Sequence, residues 1–183
     1  IDFGKEFPED TAESNKYGRA RKYLDTWTNA GILIQSAQPS FYAYEMSYQV
    51  DGATKKLLGF LGLVKLEELG KGVIYPHECT YSKPKQDRLN LLRTCEANIS
   101  PIFSLYKSYN QAVSETLKES IQSTPYLEAP DSGGSVHRLW EINETRAIET
   151  IQREFAKAPI FIADGHHRYE TSFEFHREMS RGR

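Results

Sequence analysis

Apolar side chains recur at intervals of three and four residues in several stretches of the chain, and this spacing predicts amphipathic helices. In the first stretch Tyr17 and Trp27 belong to the apolar face, and Gly31 is placed to end the helix. A second helix is expected to begin near Pro84, with Ser82 as its cap. The predicted helices are residues 11–30, 84 onward, 111–123, 144–157 and 166–179.

Shorter apolar or alternating runs predict strands between these helices. The predicted strands are residues 41–50, 57–66, 102–106, 136–142 and 159–163. The first two form a hairpin around Asp51 and Gly52, with a six-residue connection of uncertain turn type. Residues 67–72 are expected to form a short helix or loop, residues 73–82 an irregular segment and residues 124–134 a loop rich in Pro and Gly. This mixture predicts a single α/β domain over residues 1–183, of the α+β kind with a mixed sheet.

The composition argues against some classes of binding partner. The 23 Lys and Arg residues against 25 Asp and Glu residues leave a net charge of -2, which argues against direct nucleic-acid binding. No apolar run is long enough for a membrane helix and no signal segment opens the chain, so we expect a cytoplasmic protein without a membrane partner. Cys79 and Cys95 do not form a zinc pattern and are expected to be reduced. Because the chain opens on Ile1, we expect a fragment of a longer protein.

The stretch FIADGHHRYE crowds ionisable side chains where a buried strand gives way to a helix. The first N–H groups of a helix lack partners inside it and carry the positive end of its dipole. Gly165 would let an anion approach the backbone, and His166, His167 and Arg168 could surround that anion with donors. The glycine pattern is neither a Walker loop nor a Rossmann fingerprint.

Asp164 stands immediately before this glycine. Its carboxylate could cap the helix, hold a magnesium ion or accept a proton from a hydroxyl nucleophile. The alternative is that the whole stretch is a helix cap followed by solvated side chains.

A second cluster, YPHECTYSKPKQDR, places His77, Glu78, Lys85 and Arg88 in a loop and a helix start. It lacks the His-Glu-x-x-His spacing of a zinc protease. In the structural alternative Asp87 and Arg88 merely occupy the first turns of a helix, and the lysines are solvated. The functional alternative makes this loop the wall that faces the Asp-Gly turn. His137, isolated in an alternating strand, is expected to serve packing or a sheet edge.

The order of five motifs resembles the uncharacterised bacterial and archaeal family called domain of unknown function 1015. The motifs are HECT, KQDR, ANISPIF, VHRLWEI and FIADGHHRYE. Members of that family usually carry an additional segment before the first helix and another after the last. The Asp-Gly-His-His-Arg turn is also similar to the phosphate-binding turn of the ParB and sulfiredoxin-like group, which includes free-serine kinases. This second resemblance implies a ParB/sulfiredoxin-like nucleotide-binding core with inserted helices and a β-hairpin.

The second resemblance also implies roles for individual residues. Gly165, His166, His167 and Arg168 would bind the phosphates of ATP or ADP, and Asp164 would act in catalysis or hold Mg²⁺. The function expected from these roles is a nucleotide-dependent kinase that phosphorylates a small hydroxyl compound such as free serine.

Further residues complete this expectation. His77, Glu78 and His166 are the other candidate catalytic residues, and Lys85 and Arg88 would hold a phosphate or an acidic substrate group. Two alternatives stay open. One is a nucleotide-binding regulatory switch without turnover, and the other is a metal-dependent hydrolase that uses His77, Glu78, Asp164 and His166. The acceptor, the choice between ATP and ADP, and the oligomeric state are also open.

Overall fold

A computed structural model describes residues 1–108, 110–156 and 158–181, except for the side chains of residues 82 and 83. This part of the chain contains five helices: α1 (Lys16–Asn29), α2 (Ser82–Cys95), α3 (Ala112–Ser120), α4 (Thr145–Phe155) and α5 (His166–Arg181). Its seven strands are β1 (Phe41–Val50), β2 (Ala53–Leu61), β3 (Ile74–Tyr75), β4 (Phe103–Tyr106), β5 (Leu127–Pro130), β6 (Val136–Ile142) and β7 (Ile160–Asp164). These helices and sheets confirm the predicted α+β class.

The chain divides into two compact units, which are described separately. The first comprises Ile1–Gln35, Leu66–Tyr106 and Pro159–Arg183, and the second comprises Ser36–Lys65 and Lys107–Ala158. The single domain over residues 1–183 and the ParB/sulfiredoxin-like core both stay predictions. No helix in the described ranges is long and apolar enough to cross a membrane.

The second unit is built on a four-stranded antiparallel sheet in the order β2-β1-β6-β5. Helices α3 and α4 pack against each other, and α3 also contacts β2 and β6. The core includes Val113, Leu117, Trp140 and Ile151, all buried. These side chains supply the apolar faces that the helical and strand periodicities predicted.

The hairpin of this unit differs from the prediction. Val50 pairs with Ala53, so the connection is the two residues Asp51 and Gly52, with φ of 51° and 76°. Two left-handed residues make the type I′ turn that suits a two-residue hairpin. The predicted six-residue connection is therefore wrong. The polar start of β2 obscured the strand because its side chains are exposed.

Other boundaries also shift. Helix α1 begins after Asn15, whose Oδ1 accepts hydrogen bonds from the N–H groups of Tyr17 (3.0 Å) and Gly18 (3.2 Å). Helix α2 begins at Ser82 with Tyr81 as its N-cap residue, so Ser82 is not the cap and Pro84 is not the first residue. Strand β5 lies in the predicted 124–134 loop, where its edge position tolerates Pro130. Residue 157, the predicted end of α4, lies outside the described residues.

The first unit contains a three-stranded mixed sheet in the order β3-β7-β4. The central strand β7 runs parallel to β3 and antiparallel to β4. Helix α2 packs against both α1 and α5. The carboxyl ends of parallel strands meet at one edge of a sheet, so the segment after β3 and the turn after β7 emerge together. The short strand β3 thus brings the two candidate motifs to the same place.

Candidate functional site

The turn between β7 and α5 requires a glycine. Gly165 has a φ of +98°, a conformation that residues with a Cβ rarely adopt. A Cβ at this position would also lie only 2.8 Å from Nε and Nη2 of Arg168. The Arg168 guanidinium folds back over the glycine and donates a hydrogen bond to the Asp164 carboxylate. Arg168 and Asp164 therefore form an ion pair across the turn.

His166, the first residue of α5, is almost completely buried, with 1% of its surface exposed. Its Nε2 accepts a hydrogen bond from the backbone N–H of His77 at 3.2 Å. Because Nε2 is an acceptor, the proton of the neutral ring lies on Nδ1. Nδ1 is 3.0 Å from Glu78 Oε1 but has no hydrogen bond of acceptable geometry within the described part of the chain. His166 therefore keeps a buried donor that is not satisfied.

Arg168 carries a second donor of this kind. Its Nε is buried and lacks a hydrogen-bond partner among the residues that the structure describes. Tyr169 N–H bonds to Gly165 O at 3.0 Å, whereas the N–H groups before it in the first turn have no partner within the helix. Buried polar groups are nearly always paired in folded proteins. Unsatisfied donors together with the positive end of the α5 dipole fit an anion at this turn.

His77 lies against the turn from the loop that comes after β3. Its Nδ1 lies 2.7 Å from the backbone oxygen of Ile162 and donates a hydrogen bond to it. The rings of His77 and His166 meet edge to face, with centroids 4.6 Å apart. Since Nδ1–H is committed to the carbonyl, Nε2 of the exposed His77 ring carries the lone pair. This nitrogen can accept a proton or act as a nucleophile.

The rest of the loop is also attached to α5. The backbone N–H of Tyr81 donates to His167 Nε2 at 3.0 Å, and the two rings stack. Thr80 Oγ1 donates to Glu170 Oε2 at 2.7 Å. The loop therefore faces the turn, as the functional interpretation of the second cluster expected. Because His167 Nε2 is already used, only Nδ1 of that ring can donate to an anion.

Lys85 and Arg88 make their described contacts away from the Asp-Gly turn. Lys85 Nζ forms an ion pair with Glu170 at 2.8 Å. Arg88 donates to Asp2 and pairs with Asp87 at 2.8 Å. Both cations are thus neutralised by carboxylates, and among the described contacts none joins either of them to Asp164 or Gly165.

Glu170 is the residue at this site that the sequence did not single out. It lies four residues after His166 and so on the same face of α5. Its carboxylate binds Lys85 and Thr80 together. That spacing was the only signal of Glu170 in the sequence, since Lys85 and Thr80 are 85 and 90 residues away from it.

In the described ranges, protein side chains alone do not form a metal site. No group of three or more His, Cys, Asp and Glu residues in those ranges could hold a metal ion. Asp164 offers a single carboxylate, which is paired with Arg168. Mg²⁺ commonly binds one or two carboxylates together with substrate phosphates. The residues present therefore fit magnesium only in company with a phosphate ligand.

The fold and the turn define an α+β protein in which a glycine turn opens a helix beside a histidine-bearing loop. The chain belongs to the family of proteins of unknown function designated DUF1015, whose family model matches residues 1–183. No curated protein is significantly similar to the chain, and neither is any solved structure. The family resemblance noted from the five motifs is thereby confirmed.

Proposed function

We propose that the protein is a nucleotide-dependent phosphotransferase that phosphorylates a small hydroxyl compound such as free serine, with ATP or ADP as donor and Mg²⁺ as metal. The observation that carries this proposal is the buried His166 Nδ1 at the N-terminus of α5, which has no well-directed hydrogen bond in the described chain although Glu78 Oε1 lies 3.0 Å away. Beside it stand Arg168 Nε, which has no hydrogen-bond partner among the described residues, and Gly165, whose lack of a side chain leaves room for the Arg168 guanidinium. A phosphate group would satisfy these donors.

Phosphoryl transfer depends on positioning and charge neutralisation more than on any other catalytic effect. The α5 N–H groups, His166 and Arg168 would position the phosphates, with a contribution from His167 Nδ1. Bound Mg²⁺ would supply charge neutralisation between the phosphates, and Asp164 is the carboxylate that would hold it.

A side chain beside the phosphate site would accept the proton of the acceptor hydroxyl. The side chain of Glu78 is 53% exposed, and the lone pair of His77 Nε2 has no hydrogen-bond partner among the described residues. Asp164 could take this part only after separating from Arg168, with which it is paired. His77 and Glu78 are therefore the stronger acid–base candidates.

A regulatory switch without turnover is the second candidate. The Asp164–Arg168 ion pair favours it, because a phosphate would compete with the Asp164 carboxylate for the guanidinium. Such competition gives the turn two arrangements that a nucleotide could select between. The metal-dependent hydrolase stays an untested alternative.

The deciding experiment incubates the full-length protein with Mg²⁺, ATP or ADP, and a panel of small alcohols and amino acids that includes serine. The product is followed by phosphorus NMR. We expect one acceptor class to be phosphorylated, and Arg168→Ala to lower kcat/KM by on the order of 100-fold through loss of a preorganised donor. Arg177→Ala, which removes an exposed arginine from the same helix, is the matched control.

The outcomes separate the candidates. Nucleotide binding that depends on Arg168, with no phosphorylated product, would favour the switch. Nucleotide affinity that is unchanged in both Arg168→Ala and Gly165→Val would overturn the phosphate turn and with it both candidates.

A further inference from the structure

We propose that His77 Nε2 is the nucleophile of the transfer, so that the phosphoryl group passes through a phosphohistidine on this chain before it reaches the hydroxyl acceptor. The inference rests on the proposed function and adds a covalent intermediate to it. Histidine is one of the side chains that form covalent intermediates in group transfer.

The hydrogen bonds of His77 fix the ring for this role. Nδ1–H donates to Ile162 O at 2.7 Å, which commits the proton to Nδ1 and leaves the lone pair on Nε2. The backbone N–H of the same residue is bound to His166 Nε2, and the two rings are in edge contact. His77 is therefore held in one tautomer and orientation without any hydrogen bond to its Nε2 among the described residues.

His77 lies next to the donors that we propose bind the anion. Its ring contacts His166, which begins α5 and carries the unsatisfied Nδ1. A phosphate bound at the α5 N-terminus would be a close neighbour of this ring. Because His77 is exposed, its Nε2 could be reached from solvent by a substrate.

The other histidines of the chain do not offer the same group. His166 is buried and its Nε2 is occupied, and His167 Nε2 accepts from Tyr81 N–H. Both ring nitrogens of His137 have partners, and this residue belongs to the second compact unit. His176 is exposed and lies ten residues along α5 from His166. His77 is thus the one histidine at the turn with a free, directed Nε2 within the described chain.

Each of the two steps conserves atoms and electrons. In the first, the Nε2 lone pair forms a bond to the terminal phosphorus, the P–O bond to the leaving nucleotide breaks, and its electron pair leaves with that nucleotide. The imidazolium that results keeps Nδ1–H on the Ile162 carbonyl, which stabilises the positive charge. In the second, the acceptor oxygen attacks phosphorus, the P–N bond breaks and its electrons return to Nε2. The hydroxyl proton passes to the exposed Glu78 carboxylate.

The first test omits the acceptor. The full-length protein is incubated with Mg²⁺ and either γ-labelled ATP or β-labelled ADP to detect labelled protein, and in parallel with unlabelled donor and product nucleotide labelled in its nucleoside, to measure exchange of that label into the donor. We expect exchange together with protein-bound phosphate that is labile in acid and stable in alkali. Both should be lost in His77→Asn, whose amide can still donate to the Ile162 carbonyl, and both should persist in the matched control His176→Asn.

The second test needs no variant. With a donor made chiral at the transferred phosphorus and an acceptor found in the phosphorylation assay, two displacements predict overall retention of configuration. Product formed with inversion, without exchange or bound label, would overturn the phosphohistidine and leave the proposed kinase intact. No product, exchange or label with any acceptor would contradict the proposed function itself.

Discussion

The dipeptide Asp-Gly occurs twice in the chain, and the two copies have different structures. At Asp51-Gly52 both residues are left-handed and close a two-residue hairpin. At Asp164-Gly165 only the glycine has a positive φ, and the chain enters α5. The same dipeptide therefore connects two antiparallel strands in one place and a strand to a helix in the other.

The difference lies in the residues that come after each glycine. Residues 53–56 are exposed strand residues, and a Cβ added at Gly52 would meet no atom within 4 Å. After Gly165 come a buried histidine and an arginine that folds back over the turn. The first copy closes a regular two-residue hairpin. Among the described residues the second leaves His166 Nδ1 and Arg168 Nε without a hydrogen-bond partner, and our proposal places the phosphate site at that copy.

Replacement of the residue after each glycine should give the largest contrast. His166→Ala removes a buried ring and leaves the His77 N–H without its acceptor, so we expect unfolding free energy to fall by about 2 to 4 kcal/mol. Ala53→Ser, at the exposed equivalent position of the hairpin, should stay within about 0.5 kcal/mol of the unmodified protein. Urea denaturation measures both. Equal small changes would contradict a structural difference between the turns.

Neutralising the aspartate of each copy should have a smaller effect, and on binding rather than stability. Without Mg²⁺, Asp164→Asn removes the carboxylate that competes with phosphate for Arg168, so ADP should bind more tightly by roughly 3- to 10-fold. Addition of Mg²⁺ should then improve binding less than in the unmodified protein. Asp51→Asn should change neither the ADP affinity without Mg²⁺ nor the gain in affinity with Mg²⁺, because Asn tolerates the left-handed conformation. Calorimetric titration would detect the difference, and tighter binding by both variants would refute it.

The smallest expected effect concerns how α5 is attached to its surroundings. Burial raises the pKa of Glu170, but hydrogen bonds from Lys85 and Thr80 outweigh this and hold the pKa below its ordinary value of 4.5. A carboxyl with a lowered folded-state pKa contributes stability above that ordinary value and loses it as pH falls through the folded-state pKa. Lys85→Met should therefore lower stability by about 0.5 to 1 kcal/mol at pH 7 and flatten its loss between about pH 5 and 3.

The control for that prediction is Lys55→Met, which removes the same charge from the exposed start of β2. It should leave the acid dependence of stability unchanged. Stability curves against pH from urea denaturation would compare the two variants. Parallel curves for Lys85→Met and the unmodified protein would show that the Glu170 pair contributes nothing.

The sequence predicted those elements whose signal is local. Strands β1 and β6 begin and end where the alternation of apolar residues predicted. Strand β2 was misplaced because its first residues are polar and exposed, and β5 was missed because Pro130 and nearby glycines resemble a loop. Strand β3 has only two residues, which are too few to show a periodic pattern.

The candidate site likewise contains some features that local sequence predicts and others that it does not. The Asp164–Arg168 turn could be predicted because every residue in it is contiguous. The partners of Lys85 and Arg88 could not, because Glu170 and Asp2 are far away in sequence and reach them only through packing of α2. The tautomer of His77 depends on the Ile162 carbonyl, a backbone group that side-chain patterns do not reveal.

The most direct test of the central claim is the Kd for ADP and ATP of Gly165→Ala and Gly52→Ala. Both substitutions place a Cβ on a left-handed residue and should cost about 1 to 2 kcal/mol of stability. Only the Cβ at position 165 meets the Arg168 guanidinium, at 2.8 Å. We predict nucleotide binding at least about 10-fold weaker in Gly165→Ala, the effect of losing roughly one charged hydrogen bond, and unchanged in Gly52→Ala. Equal affinities in the two variants would contradict a phosphate site at the Asp164–Arg168 turn.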